Sequence, residues 1–187
     1  FDVISTGFIF TKKQMEIISK FCEEQSKKGV LIFNDPIMAD NGELYSGISP
    51  DTVDYMKNII AVSDVTMPNY TESCLLTNTK YKEGISIEEI NSIINKIRGI
   101  GAKSVIVTSI PSVETKMVAG FDSKINEYFY LPYEEIPTYF PGTGDIFSSV
   151  IISETLEGKS LKVATEKAMK IVKEIVFENK DQEDKKS

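Results

Sequence analysis

Histidine is absent from the 187 residues. That removes imidazole acid–base chemistry, histidine-based triads and most zinc sites, and leaves proton transfer to carboxylates, lysine, tyrosine or cysteine. Cysteine is scarce too. Cys22 and Cys74 each fall in a stretch of helical pattern, and nothing in their placement points to a disulfide framework. No apolar run reaches the roughly 18 residues of a membrane span, and no signal-peptide pattern opens the chain. Basic residues are outnumbered by acidic ones, 21 to 28, for a net charge of −7. This argues against general nucleic-acid binding, which needs clustered cations along the phosphate backbone. Two phosphate-binding signatures are missing as well: there is no Gly-x4-Gly-Lys-Ser/Thr loop and no Gly-x-Gly-x-x-Gly.

What remains is an ordinary globular composition, 41% hydrophobic and 26% charged, with enough length for one substantial core. The pattern alternates strands and helices. Residues 2–8 read as a central strand already under way at Phe1, with no initiating methionine, so an N-terminal segment is expected to be missing. Thr11 to Gln14 has capping-box spacing. It opens a helix with Met15, Ile18 and Cys22 on its apolar face, running to about Lys28. Val30 to Asn34 reads as a short buried strand, and 35–50 as a loop rich in Pro, Gly, Asn and Asp. Then follow a helix over 51–62, a brief strand over 64–66, and a short helix over 72–77 that Asn69 can cap. Ser86 to Glu89 is another capping box, and its helix carries Ile87, Ile90, Ile94 and Ile97 as an amphipathic stripe. A strand over 104–109 precedes an antiparallel pair over 115–121 and 126–131. Helices are predicted over 143–156 and from Ser160 to about Phe177.

Such alternation predicts a mainly parallel sheet covered on both faces. No repeat or linker interrupts it, so the pattern reads as one α/β domain over residues 1–178 with a charged, frayed tail over 179–187. Ligands in such sheets sit at the carboxyl ends of strands. Asn34-Asp35, Pro68-Asn69 and Thr108-Ser109 fall at such ends.

The densest signal is Pro141-Gly142-Thr143-Gly144-Asp145, directly before an apolar helix. Glycines allow a sharp turn that exposes N–H groups, and a helix start concentrates unpaired donors, which suits an anion such as phosphate. Asp145 beside an anion pocket makes more sense as a base for an incoming hydroxyl than as a phosphate ligand. The plain alternative is a glycine-rich turn with Asp145 as a first-turn acid favoured by the helix dipole. Magnesium on nucleotide phosphates wants one or two carboxylates and several waters, which Asp35 and Glu72 could supply. They read equally well as a turn starter and a first-turn helix acid.

The combination of Asp35-Pro36-Ile37-Met38-Ala39-Asp40, Gly42-Glu43-Leu44-Tyr45, Pro68-Asn69-Tyr70-Thr71-Glu72, Val107-Thr108-Ser109 and Gly142-Thr143-Gly144-Asp145 resembles the pyridoxal kinases of the ribokinase-like superfamily. Order and spacing match along nearly the whole chain. Thr6-Gly7-Phe8-Ile9 is similar to that family's Thr-Gly-Tyr segment near the substrate. The resemblance implies a three-layer α/β/α sandwich and ATP-dependent phosphorylation of the hydroxymethyl group of pyridoxal, pyridoxine or pyridoxamine. It implies Asp145 as general base, with Phe8 also near the substrate, and the Gly142 to Gly144 amides on the migrating phosphoryl group. Asp35, Asp40 and Glu72 would organise magnesium. Asn69, Thr108, Ser109 and Thr143 would contact phosphates, and Tyr45 would border them. A monovalent cation, a homodimer and a cytoplasmic setting come with the family; nucleic acid and membrane do not.

Two departures stand out. Met67-Pro68-Asn69 replaces the family's Thr-Pro-Asn. The threonine is displaced to Thr66, whose side chain should face the other way in an extended segment. Ala39 stands where a glycine is usual. The hydroxymethylpyrimidine kinases share the Asp-Pro, Pro-Asn-x-x-Glu and Gly-x-Gly-Asp pattern and form the rival reading. A non-catalytic nucleotide-binding relic is the third.

Overall fold

The computed structural model describes residues 1–138 and 140–179, which form two compact units, Phe1–Tyr133 and Glu134 onward. The first unit carries the sheet. Strand β1 (Val3–Thr6) leads into α1 (Lys12–Ser26) and returns as β2 (Leu31–Asn34); α2 (Asp51–Ile60) then leads to β5 (Val65–Thr66). Helices α3 (Tyr70–Leu76) and α4 (Ile87–Ile100) precede β6 (Ser104–Pro111), and β7 (Lys116–Asp122) and β8 (Glu127–Tyr133) close the unit. The sheet order is β1-β2-β5-β6-β7-β8. The first three pairings are parallel, each bridged by a helical crossover, and the last two are antiparallel hairpins. With two further helices in the second unit, the fold is α/β with a central, mostly parallel sheet.

Local chemistry explains the boundaries. Thr11, Asn69 and Ser86 each cap their helix through a reciprocal capping box, with Gln14, Glu72 and Glu89 as the returning residues. Helix α4 ends at Gly101, whose φ of 139° and 2.6 Å approach of a notional Cβ to the Ala61 carbonyl oxygen leave room only for glycine. Met15 and Cys22 of α1 are buried as the periodicity predicts. In α4 the buried set is Ile90, Ile93, Ile94 and Ile97, while Ile87 is exposed at the helix start. These helices share one apolar core with Val105 and Val107 of β6 and Met117, Ala119 and Phe121 of β7, alternate residues that point to one face of the sheet.

The segment over 35–50, predicted as loop, holds a two-stranded hairpin: β3 (Ala39–Asp40) against β4 (Glu43–Leu44). Asn41 and Gly42 both take positive φ, 51° and 85°, as a primed turn between twisted strands requires.

In the second unit α5 (Thr143–Leu156) packs on α6 (Leu161–Asn179). Glu154, 5% exposed, is paired with Lys167 of α6. Helix α6 runs through Asn179, two residues past the predicted end near Phe177. The expected frayed tail from 180 onward lies outside the described residues.

Candidate active site

In the first unit β1, β2 and β5 end side by side at Thr6, Asn34 and Thr66, while β6, predicted to end at Ser109, runs on beside them to Pro111. The Asp35 amide donates to the Thr6 carbonyl at 2.8 Å, the Met67 amide to the Asn34 carbonyl at 2.8 Å, and the Thr108 amide to the Pro68 carbonyl at 3.1 Å. Asn69, past the end of β5, forms an isolated parallel bridge with Thr108 in β6. Of the sites predicted at three strand ends, Asp35 and Asn69 follow the ends of β2 and β5, whereas Thr108-Ser109 lies beside them within β6, at its bulge, and not at its end.

Beneath the rim runs a buried polar row. Thr6, Asn34 and Thr66 are register partners across β1, β2 and β5. The Asn34 Nδ2 donates to Thr6 Oγ1 at 2.9 Å, and Thr66 Oγ1 donates to Asn34 Oδ1 at 3.1 Å. Thr66 therefore lies on the same face as Thr6 and Asn34, and it and its neighbour Met67 are both buried, at 0% and 4% exposure.

The individual candidates differ in setting. Asp35 is half-buried after β2, whereas Asp40 and Tyr45 are exposed on or just after the hairpin. Thr108 is half-buried, and Ser109 is exposed with a left-handed φ of 56° at a bulge where the β6–β7 register shifts. Bulges re-aim side chains and recur beside active sites. Phe8 is 54% exposed, its ring 6.2 Å from that of Phe10.

Glu72 is 2% exposed. Its Oε1 accepts from the Met38 and Ala39 amides at 2.9 and 3.4 Å, and its Oε2 from the Asn69 amide at 2.8 Å. Burial pushes its carboxyl up to about 8, against the pull of these three amides. Asn69 caps α3 and donates from Nδ2 to the Ala39 carbonyl at 2.7 Å. Thr71, to which no role falls in the motif, accepts from the Gly42 amide at 2.9 Å. The signal for it was the Asn41-Gly42 dipeptide, which announces a turn that something must hold. Among the described residues no group of three or more His, Cys, Asp or Glu is placed to hold a metal ion alone. A donor set of two carboxylates still fits magnesium that keeps its waters and phosphate oxygens.

In the second unit Gly142 occupies the N-cap of α5 with φ 87° and no side-chain cap. A Cβ there would meet nothing within 4 Å, so the backbone conformation alone calls for glycine. The first amides of α5 lack side-chain acceptors, and Thr143, Gly144 and Asp145 form its opening turn with Asp145 exposed. Such a turn suits an anion.

Comparison with known proteins agrees with this geometry. The chain is 28% identical over 189 residues to the pyridoxal kinase of Dictyostelium discoideum, covering 94% of this chain and 61% of that one. It is 27% identical over 182 residues to the hydroxymethylpyrimidine/phosphomethylpyrimidine kinase of Aquifex aeolicus, covering 95% and 68%. A crystal structure of a candidate phosphomethylpyrimidine kinase from Bacteroides thetaiotaomicron, in a form with pyridoxal, matches with a TM-score of 0.84 and 33% identity over 90% of this chain and 60% of that one. The chain thus spans about 60% of the length of the first of these relatives. The phosphomethylpyrimidine kinase family model matches residues 1–186, and with the fold and strand-end motifs above, the chain belongs to that family, within the ribokinase-like superfamily that includes the pyridoxal kinases.

Proposed function

We propose that this chain carries the nucleotide side and the base of an ATP-dependent kinase that phosphorylates the hydroxymethyl group of a B6 vitamer. The observation that carries this reading is the row of Asp35, Asn69 and Thr108-Ser109, which adjacent parallel strands bring side by side, the last pair at the β6 bulge. The Bacteroides relative, described as a candidate phosphomethylpyrimidine kinase and crystallised in one form with pyridoxal, supports a pocket that admits the vitamer. Phosphoryl transfer asks a protein for positioning and charge stabilisation more than for covalent chemistry. Thr108, Ser109 and Thr143 supply hydroxyls for phosphate oxygens, and Tyr45 borders them. The amides of Gly142 to Gly144 stabilise charge on the migrating group. Asp145 takes the proton of the attacking hydroxyl onto a carboxylate oxygen. Phe8 offers an exposed ring to the pyridine. Magnesium, when bound, neutralises charge on the triphosphate, and Asp35 and Asp40 are the carboxylates that would hold it, with Glu72 behind them. A homodimer, a monovalent cation and a cytoplasmic setting belong to the same reading.

The test is pyridoxal 5′-phosphate formation from pyridoxal, ATP and magnesium, by this chain and by a form extended at its N-terminus. Asp145→Asn is expected to lower turnover by about 10²–10⁴-fold with nucleotide binding retained. Turnover of hydroxymethylpyrimidine but not pyridoxal would assign the rival substrate. ATP binding with no transfer to either would leave a nucleotide-binding relic.

A further inference from the structure

The first turn of α3 grips the β3–β4 hairpin at several points. Ala39 is held at both ends of its peptide unit: its amide by Glu72 Oε1 at 3.4 Å and its carbonyl by Asn69 Nδ2 at 2.7 Å. Glu72 also takes the Met38 amide at 2.9 Å, and Thr71 takes the Gly42 amide at 2.9 Å. Asn69 and Glu72 lock one another through the capping box, with bonds of 2.8 and 2.9 Å. Glu72 and Thr71 are 2% and 4% exposed, so water competes little for these contacts. Asp40 sits between the gripped Ala39 and the anchored Gly42, and it is exposed.

A side chain that ligates an ion needs free lone pairs and access. The oxygens of Glu72 accept three backbone amides and the residue is enclosed; those of Asp40 accept, among the described residues, only from its neighbour Asn41, at 2.9 and 3.3 Å, and the residue is open to solvent. We propose that Asn69, Thr71 and Glu72 are positioning residues that fix the backbone over 38–42 and thereby aim Asp40, and that they take neither cation nor phosphate themselves. The inference rests on the kinase reading only for what Asp40 meets; the clamp stands on its own hydrogen bonds.

The experiment pairs amide hydrogen exchange with titration of Mn2+ alone, followed by NMR line broadening, on the 187-residue chain. Thr71→Val is expected to speed exchange at Gly42 by about tenfold, the effect of one lost hydrogen bond. Glu72→Gln is expected to do the same at Met38, Ala39 or Asn69, because its one acceptor oxygen cannot serve both sides. Both variants should weaken Mn2+ by a similar factor, although the Thr71 hydroxyl is no cation ligand, and Asp40→Asn should weaken it most. Weaker Mn2+ binding in Glu72→Gln with none in Thr71→Val would make Glu72 a direct ligand and overturn the proposal. Unchanged exchange in both variants would overturn it too. If wild type shows no broadening at Asp35 or Asp40, the cation reading falls, and the exchange rates alone decide the clamp. Should Glu72→Gln not fold, Thr71→Val carries both arms.

Discussion

Asn34 shows how much one side chain can carry. It is fully buried and serves as donor to Thr6 and acceptor from Thr66. Buried polar groups left unpaired cost more than the bond they lose. Asn34→Ala should therefore destabilise the chain by about 2–4 kcal/mol, read as a lower urea midpoint at unchanged slope. In the sequence Asn34 was visible only as the last residue of a strand, beside the Asp35 that drew attention. Its polar row appears only when three strands align. For Thr66, strand alternation predicted only a direction opposite to that of residue 67; its bond to Asn34 appears only in the fold. The turn at Gly142 and the helix start after it were legible because they are local: a left-handed cap and a helix start need no partner from elsewhere in the chain.

Elements were most legible where they announce their own ends. The capping boxes at Thr11, Asn69 and Ser86 are local hydrogen-bond circuits; those at Thr11 and Ser86 open the helices their spacing predicts, while Asn69 caps a helix that starts at Tyr70, two residues before the predicted start. The hairpin over 39–44 was not foreseen, because strands of two residues carry no periodicity. Its turn residues were the available signal. The β6 bulge at Ser109 was invisible for a different reason, since a register shift is a property of two strands. Glycine behaves differently from element to element. Gly120 of β7 lies opposite Phe129, and a Cβ there would stand 2.4 Å from Phe129 Cζ and 2.6 Å from the Val105 carbonyl oxygen. Gly142 has open space but a left-handed φ of 87°. Gly120→Ala should cost about 3 kcal/mol or more through overpacking. Gly142→Ala should cost about 1 kcal/mol through backbone strain alone. Thermal melts of the two variants side by side check the order.

At the scale of the whole molecule, Glu72 couples stability to pH. Its carboxyl rises from an ordinary 4.5 to about 8 on folding, chiefly through burial. Between those values the folded chain holds a proton that the unfolded chain has released. Stability from this group is complete below pH 4.5, declines as pH rises, and is gone above about 8. The midpoint of thermal unfolding should fall from pH 5 to pH 8, and Glu72→Gln, which cannot titrate, should flatten that slope. Equal slopes in the two proteins would show that Glu72 is ionised throughout.

Residue order alone dictated the α/β class, most element positions and the family motifs. Hydrophobic period, capping and glycine-rich turns act within a few residues of one another, so a linear reading finds them. Tertiary structure alone decided that β1, β2 and β5 end together beside the β6 bulge, that Asn34 joins two threonines, and that Glu72 faces backbone amides. Those outcomes depend on which strands become neighbours and which groups lose water. Residues 28 to 34 positions apart settle that, as in the bond from Asn34 to Thr6 and the reach from Glu72 back to Met38, and no local pattern encodes it.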